Sequence, residues 1–189
     1  MTFYFGGSTL SSNGDQEYYS DSTVGVNPFS LSDGALYITA SPGSNPDNLP
    51  YNSGMITTEG MFAQTYGYFE ARVEVAPGAG MWSSFYLLPA NESWPPEFDA
   101  LEAFGAQNAT GAGAGNQAWQ NQITVNHAQD FGQWNLVGGG DMHTTWHTFG
   151  VDWEPDVTTW YIDGVETMQR PTPSTTNTPM YMLAALAVG

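Results

Sequence analysis

Three carboxylates lie within six residues of one short stretch of this chain. Glu97, Asp99 and Glu102 occur among apolar neighbours in the sequence WPPEFDALEAFG. No Lys or Arg occurs between Arg72 and Arg170, so nothing close in sequence neutralises the three charges. Crowding raises the free energy of the charged form, and the pKa of at least one of the acids should therefore rise. One carboxyl group can then stay protonated beside an ionised one, as acid and base chemistry at a single site requires.

One interpretation of this stretch is an amphipathic helix. Pro96 could occupy the first helical position, acids in the first turn would suit the helix dipole, and Gly105 could end the helix. Phe98 and Leu101 would then face the core. In that case the acids would be the polar first turn of a surface helix.

The other interpretation is a β-strand. Alternation places Glu97 and Asp99 on one face and Phe98 on the other. It also sends Glu102 to the opposite face, unless one extra residue near Ala100–Leu101 forms a β-bulge and brings it back. With the bulge, all three acids line one side of a sheet.

The elements that must position the acids have the patterns of strands. Residues 66–76 alternate polar and apolar side chains, so one face should pack on a core while the other meets solvent or a groove. The run Met81–Leu88 is apolar except for Ser83 and Ser84, which is typical of a central strand. Further strands are predicted over residues 35–41, 55–58, 122–127, 146–153, 158–162 and 180–188.

The pattern of the whole chain favours the strand interpretation. No long segment has a helical period, no internal repeat occurs, and the small, Gly-rich residues 106–115 indicate a loop beside the acidic strand. Many short strands at regular spacing predict an all-β sandwich. At 189 residues we expect one domain, covering residues 1–189, with a core of its own.

The charge balance limits the partners. Nineteen acids stand against two Arg and no Lys, giving a formal net charge of −17. Such a chain repels nucleic acids and anionic membranes, and we predict neither as a partner. Sulfated or carboxylated glycans are normally bound by Arg and Lys, so a neutral polysaccharide is favoured. The acidity could also serve solubility alone, as in proteins from saline habitats.

The stretch EFDALE resembles the Glu-x-Asp-x-x-Glu signature of glycoside hydrolase family 16, which contains laminarinases, lichenases, agarases and carrageenases. The signature alone is moderately specific. Other stretches that resemble the family follow its order along the chain: YNSGMITTEGMFAQTYGYFEARVEV, GMWSSFYLLP, WHTFGVDWEPDVTTWYIDG and PMYMLAALAVG. This ordered set is highly specific, and the resemblance covers nearly the whole chain from about Gly14 onward.

The resemblance implies a β-jelly roll with a glycan groove across its concave sheet, and a retaining endo-β-glycanase. It assigns Glu97 as the nucleophile and Glu102 as the acid and then the base, with Asp99 tuning the nucleophile. With a bulge, the Cα atoms of the two glutamates should lie roughly 13 Å apart at the usual strand rise. Their side chains can close this separation to the roughly 5–5.5 Å of retaining enzymes.

Four residues are predicted to contact substrate. Aromatic side chains make up 14% of the chain and include seven Trp, and sugar C–H faces stack on such rings. Trp82 and Trp94 are nearest to the acids in sequence, although core packing is equally open for Trp82. His127 is included because it lies on the predicted strand after the acidic one, and Asn52 completes the set. Two further tryptophans are expected in the core: Trp153 and Trp160.

Some features depart from the family pattern. Met55 stands in Ser53-Gly54-Met55-Ile56 where many laminarinase-like members carry a basic residue, so a contact to substrate hydroxyls would be lost. The usual first and last strands of the family are expected to be absent. No cofactor should be required. A structural calcium ion, which many members hold near their termini, is left open, because the terminal segments near that site are expected to be absent. Three scattered His and no Cys also show no metal-ligand spacing.

The resemblance also implies an extracellular protein, although no signal peptide is visible in this chain. We expect a monomer acting on neutral β-1,3- or β-1,3/1,4-glucan. The competing functions are a non-catalytic carbohydrate-binding jelly roll and a structural β-sandwich. A structural protein would have no reason to concentrate uncompensated acids on one strand.

Overall fold

The structure is a computed structural model that describes residues 9–24, 26–105 and 116–189. The predicted loop at residues 106–115 lies outside these ranges. The strands of the described chain are β1 (Glu17–Tyr19), β2 (Phe29–Ser32), β3 (Ala35–Ile38), β4 (Ser41–Pro42), β5 (Tyr51–Ser53), β6 (Met55–Thr57), β7 (Gly67–Val73), β8 (Met81–Pro89), β9 (Glu97–Phe104), β10 (Gln117–Ile123), β11 (Phe131–Leu136), β12 (His147–Trp153), β13 (Val157–Ile162), β14 (Val165–Pro171) and β15 (Met180–Val188). The helical elements in these ranges are single 3-10 turns at Ser11–Asn13, Ser22–Val24 and Val125–His127. None of them is long and apolar enough to cross a membrane.

Two sheets form the body of the fold. The larger has the strand order β11-β10-β9-β8-β15-β6, and the smaller has the order β14-β13-β12-β7. A three-stranded sheet, β1-β5-β4, and the hairpin β2-β3 lie outside this pair. The predicted all-β jelly-roll sandwich is therefore confirmed, and the acidic stretch is the central strand β9 rather than a helix.

The main core lies between the two larger sheets. Phe98 of β9 packs edge-to-face against Trp153 and Trp160 of the facing sheet, at centroid distances of 5.5 and 5.9 Å. Both tryptophans are fully buried, as predicted. Polar residues of β7 alternate with buried Phe69, so the predicted two-faced character of this strand is also confirmed. Burial of these large rings holds β9 against the smaller sheet.

A second apolar cluster lies on the opposite face of the larger sheet. It contains Tyr19, Met55, Tyr86, Leu88, Tyr181, Leu183 and Ala185. Tyr19 comes from β1, whereas Met55 lies on β6, the edge strand of the larger sheet that pairs with β15. The remaining part, over β8, β9, β10 and β11, carries the polar and aromatic side chains described below. We call this face of the larger sheet the groove face.

Several short strands escaped sequence prediction: Glu17–Tyr19, Phe29–Ser32, Tyr51–Ser53, Phe131–Leu136 and Val165–Pro171. Four of them lack a strong alternation of polar and apolar residues, and Phe29–Ser32 alternates but is only four residues long. The predicted strand over residues 122–127 was also wrong, because β10 ends at Ile123. Asn126 and His127 have φ angles of 63° and 55°, a left-handed conformation that cannot continue a strand. His127 therefore lies in a 3-10 turn.

Candidate active site

A β-bulge interrupts β9 at the predicted place. Towards β8, Asp99 pairs with Tyr86 and Leu101 pairs with Phe85, which leaves Ala100 as the extra residue. The register with β10 shifts at the same level. The bulge returns the following side chains to the side they would otherwise leave.

All three acids consequently share the groove face. Glu97, Asp99 and Glu102 line one cavity, while Phe98 and Leu101 point into the main core. The predicted assembly of the three carboxylates on one side of a sheet is thus what the structure has.

Two polar side chains hold the bulge from the core side. The indole nitrogen of Trp160 donates to the carbonyl oxygen of Asp99 at 3.0 Å. The amide nitrogen of Gln120 donates to the carbonyl oxygen of Ala100, also at 3.0 Å. Gln120 is itself fixed, because its Oε1 accepts hydrogen bonds from Asn135 and Thr167. A bulge removes carbonyls from regular pairing, and these donors supply the partners that buried carbonyls need.

The cavity has a volume of about 370 Å³, which lies within the range of small-molecule sites. Alternate residues of β8 form its floor: Trp82, Ser84, Tyr86 and Leu88. Its remaining lining, apart from the three acids, consists of Thr9, Leu10, Ser12, Asn13, Asp15, Tyr19, Trp94 and Ala187. The site therefore lies between the acidic strand and the N-terminal segment.

Glu97 accepts two hydrogen bonds. The indole nitrogen of Trp94 donates to its Oε2 at 2.6 Å, and the carboxyl group of Asp99 forms the other hydrogen bond. Burial raises the pKa of Glu97, and both hydrogen bonds oppose this increase because they stabilise its charged form.

Asp99 has the stronger reason to hold a proton. Burial is the main cause that raises its pKa well above the usual range, and repulsion from Glu97 and Glu102 adds to it. The side chain of Asn121 acts in the opposite direction. The hydrogen bond between the two carboxyl groups raises the pKa of Asp99 and lowers that of Glu97, which makes Asp99 the donor and Glu97 the acceptor.

Glu102 is a carboxyl group that changes charge near neutrality. Burial raises its pKa to about 7, and the charge of Glu97 contributes to the increase. The nearby indole of Trp82 lowers the pKa of Glu102. Within the described residues, however, the indole nitrogen of Trp82 does not meet the geometry of a full hydrogen bond. Below pH 7, Glu102 is therefore a protonated acid in the same cavity as Glu97.

The four predicted substrate-binding residues divide into three groups. Trp82 and Trp94 both line the cavity. His127 lies just outside it, with its ring 5.7 Å from that of Trp94 and its Nδ1 2.8 Å from Asp130 Oδ2. The structure does not bring Asn52 to the cavity. Asn52 is fully buried in β5, because this strand runs between β1 and β4 and its side chain points inward.

A second pair of acids was missed. Asp15 is 7% exposed and lines the cavity, and Glu17 of β1 is fully buried beside it. Glu17 Oε2 accepts the backbone N–H of Val188 at 2.7 Å, but its other oxygen has no partner within the described residues. Burial raises the pKa of Glu17 to about 7 and raises that of Asp15 as well. The sequence indicates only a turn here, because the burial depends on β1 pairing with the distant β5.

Tyr86 and Asn121 were also missed as neighbours of Asp99. Strict alternation along β8 from Trp82 would have placed Tyr86 on the groove face. Asn121 faces Asp99 only because β10 pairs with β9. Its position could not be read from local spacing.

Comparison with known proteins points in one direction. A model of the family "Glycosyl hydrolases family 16" matches residues 13–189. The chain is 41% identical to endo-1,3-1,4-beta-glycanase ExsH from Rhizobium meliloti (strain 1021), covering 97% of this chain and 40% of that protein. It is 36% identical to endo-1,3-1,4-beta-glycanase EglC from the same organism, over the same shares. This chain therefore spans about two fifths of the length of these relatives.

Solved structures with the same fold include glucanases. The laminarinase catalytic domain from Thermotoga maritima MSB8 superposes with a TM-score of 0.80 at 24% identity, covering 93% of this chain and 73% of that chain. The laminarinase from Rhodothermus marinus also gives a TM-score of 0.80, at 20% identity, with 97% and 77% covered. At these identities the likeness shows the fold.

The bulge can be tested by removing one donor. Trp160→Phe keeps an aromatic ring but leaves the carbonyl of Asp99 without its N–H partner, a loss worth about 1–3 kcal/mol. Trp153→Phe is the matched control, since Trp153 packs on the same Phe98 and its indole nitrogen has no partner within the described residues. Urea unfolding should therefore show a larger loss of stability for Trp160→Phe. Equal losses would mean that the hydrogen bond does not hold the bulge.

The buried acids predict that stability depends on pH. The folded-state pKa values of Glu17 and Glu102, about 7, lie above their ordinary value of 4.5, so the folded protein holds protons that the unfolded chain releases. The free energy of unfolding should therefore fall as pH rises from about 4.5 to about 7. Glu17→Gln should recover about 1–3 kcal/mol at pH 8 and flatten this dependence.

Glu154→Gln, which removes an exposed charge, is the control for the acidity of the whole chain. Urea denaturation at several pH values compares the three proteins. A parent protein that gains stability between pH 5 and pH 7 would contradict the burial of uncompensated acids.

Proposed function

This chain belongs to glycosyl hydrolase family 16, and we propose from this premise that it is a retaining endo-β-glycanase. Its substrate would be a neutral β-1,3- or mixed β-1,3/1,4-glucan, cleaved at internal bonds. One observation carries the proposal above the others. Three carboxyl groups share one cavity, where hydrogen bonds favour the charged form of Glu97 while the pKa of Asp99 is raised well above its usual range and that of Glu102 to about 7. A carboxylate nucleophile beside a carboxyl group that can give up a proton near neutral pH is the requirement for double displacement.

In the first step Glu97 acts as the nucleophile. Its carboxylate attacks the anomeric carbon and forms a covalent glycosyl ester, while the bond from that carbon to the leaving oxygen breaks. Glu102 gives its proton to the leaving oxygen, so the departing sugar leaves as a neutral alcohol. The hydrogen bonds from Trp94 and Asp99 keep Glu97 oriented and ionised before the attack.

In the second step Glu102, now ionised, acts as the base. It takes a proton from a water molecule, whose oxygen attacks the anomeric carbon and breaks the ester to Glu97. Glu97 becomes a free carboxylate and Glu102 becomes protonated again, so the site returns to its starting state. Two inversions at one carbon preserve the configuration of the cleaved bond.

Asp99 controls the ionisation of Glu97 through the hydrogen bond between the two carboxyl groups. A protonated Asp99 donates a hydrogen bond that favours the ionised nucleophile and also a good leaving carboxylate in the second step. Asn121 pairs with Asp99 across β9 and β10, and its side chain forms a hydrogen bond that orients the carboxyl group. This function requires Asp99 to remain buried, and it is 3% exposed.

The choice of a neutral glycan rests on charge. The two cations of the chain are engaged elsewhere, with Arg72 over the ring of Trp146 and Arg170 over the ring of Phe131. Neither lines the cavity, whereas four carboxyl groups do: those of Asp15, Glu97, Asp99 and Glu102. Met55, at the position where many laminarinase-like members carry a basic residue, is buried in an apolar cluster. A sulfated or carboxylated chain would thus meet acids without a pairing cation.

Several further properties belong to this proposal. We propose a secreted, monomeric protein that needs no cofactor and has no nucleic acid or membrane as a partner. The described residues hold no group of three or more His, Asp or Glu side chains suited to a metal ion. No step of the proposed mechanism requires a calcium ion.

The proposal is tested by sugar release from a panel of polysaccharides. The protein should release reducing ends from laminarin and lichenan, and should act much more slowly on carrageenan. Glu97→Gln should lower the rate at least a thousandfold, about 4 kcal/mol of barrier, and should still bind glucan. Glu97→Gln removes one charge with little change in shape, and Glu154→Gln serves again as the exposed control. Binding without turnover by the parent protein would instead indicate a carbohydrate-binding module.

A further inference from the structure

Four aromatic rings form a continuous strip on the groove face. Trp82 lies 5.0 Å from Phe104, Phe104 lies 5.8 Å from Trp134, and Trp134 lies 5.3 Å from Trp119, measured between ring centroids. We call these four residues the aromatic strip. It begins at the cavity with Trp82 and crosses β9 and β10 to β11.

The register places the strip next to the acids. Trp119 pairs directly with Glu102 across β9 and β10, and Phe104 pairs with Trp82 across β8 and β9. Side chains paired in this way point to the same face of a sheet. The strip therefore shares the face of the carboxylates and extends beyond the cavity on the β10 side.

Gly132 determines the orientation of the Trp119 indole ring. A Cβ atom on Gly132 would lie 2.3 Å from Cζ2 and 2.7 Å from Cε2 of the indole, so only glycine permits this contact. The ring thus lies against the backbone of β11 at Gly132. Trp119 and Trp134 are partly exposed, whereas the core residues Trp153 and Trp160 are fully buried.

We propose that Trp119, seated on Gly132 and supported by Trp134, is a sugar-stacking subsite for the glycan chain beyond the cavity, on the β10 side of the cleaved bond. This inference rests on the proposed function, since it assumes that a neutral glycan occupies the cavity. The C–H face of a pyranose ring packs on an indole, and a neutral sugar needs no cation there. The strip gives a chain leaving the cavity a continuous apolar surface to follow.

This subsite makes affinity depend on the length of the glycan. A short oligosaccharide fills the cavity alone, whereas a longer one also covers Trp119. Loss of the indole should therefore weaken binding progressively as the oligosaccharide grows. A ring that serves only to pack the sheet would affect all lengths alike through Glu102.

The test measures affinities of mixed β-1,3/1,4-glucan oligosaccharides, from disaccharide to octasaccharide, in a Glu97→Gln background that binds without cleaving. Trp119→Ala should weaken the longest oligosaccharides by about tenfold, with a loss that shrinks as the chain shortens. Gly132→Ala retains the indole, but the added methyl group displaces the ring from the backbone of β11. This variant should therefore show the same length-dependent effect. Trp146→Ala is the matched control, because Trp146 is an exposed tryptophan beside Arg72 and outside the groove.

The outcomes separate the subsite from the proposed function. Equal affinities for the background protein and Trp119→Ala at every length, or a loss that is the same at every length, would overturn the subsite. Melting temperatures close to that of the background protein identify variants that remain folded. Because Trp119→Ala and Gly132→Ala remove or displace the ring in different ways, the test still works if one of the two variants does not fold. A parent protein that binds these oligosaccharides but hydrolyses none of them would refute the enzyme while still testing Trp119 by binding.

Discussion

Two hydrogen bonds from the core to the backbone of β9 are the constraint on which the site depends. The donors are the indole of Trp160 and the amide of Gln120, and the acceptors are the carbonyls of Asp99 and Ala100. Because they hold one extra residue in the strand, Glu102 returns to the face of Glu97 and Asp99. A regular strand would send Glu102 into the apolar core, where a lone carboxyl group is costly. The packing of the sandwich and the chemistry of its surface are therefore set by the same few contacts.

The second physical feature is burial without compensation. The cavity gathers acidic groups from β9 and from the N-terminal segment, and both arginines lie over aromatic rings elsewhere. Burial then raises the pKa values, and unequal hydrogen bonding separates Glu97 from Asp99. At neutral pH the same burial reduces folding stability and retains the protons that the proposed mechanism uses. Function and stability are opposed at this site, as is common where pKa values are shifted.

Part of this arrangement follows from local sequence. The spacing of Glu97, Asp99 and Glu102 predicts a bulge if the stretch is a strand, and the apolar run of β8 predicts a central neighbour. The rest depends on contacts between residues far apart in the chain. Asp15 and Glu17 are buried because β1 pairs with β5, and Trp119 lies flat because Gly132 faces it from the next strand. Asn52 was assigned to the groove although β1 and β4 enclose it, since no local signal revealed two flanking strands.

The configuration of the first product tests the central claim most directly, namely that the bulge brings Glu97 and Glu102 close enough for a covalent intermediate. Proton NMR can follow the anomeric signals of a β-glucan oligosaccharide in the first minutes of hydrolysis, before mutarotation mixes them. Double displacement predicts that the new reducing end appears first in the β configuration. A new reducing end that appears first in the α configuration would mean direct attack by water between more widely separated carboxyl groups. That result would contradict both the assignment of Glu97 as the nucleophile and the role of the bulge in bringing the two glutamates together.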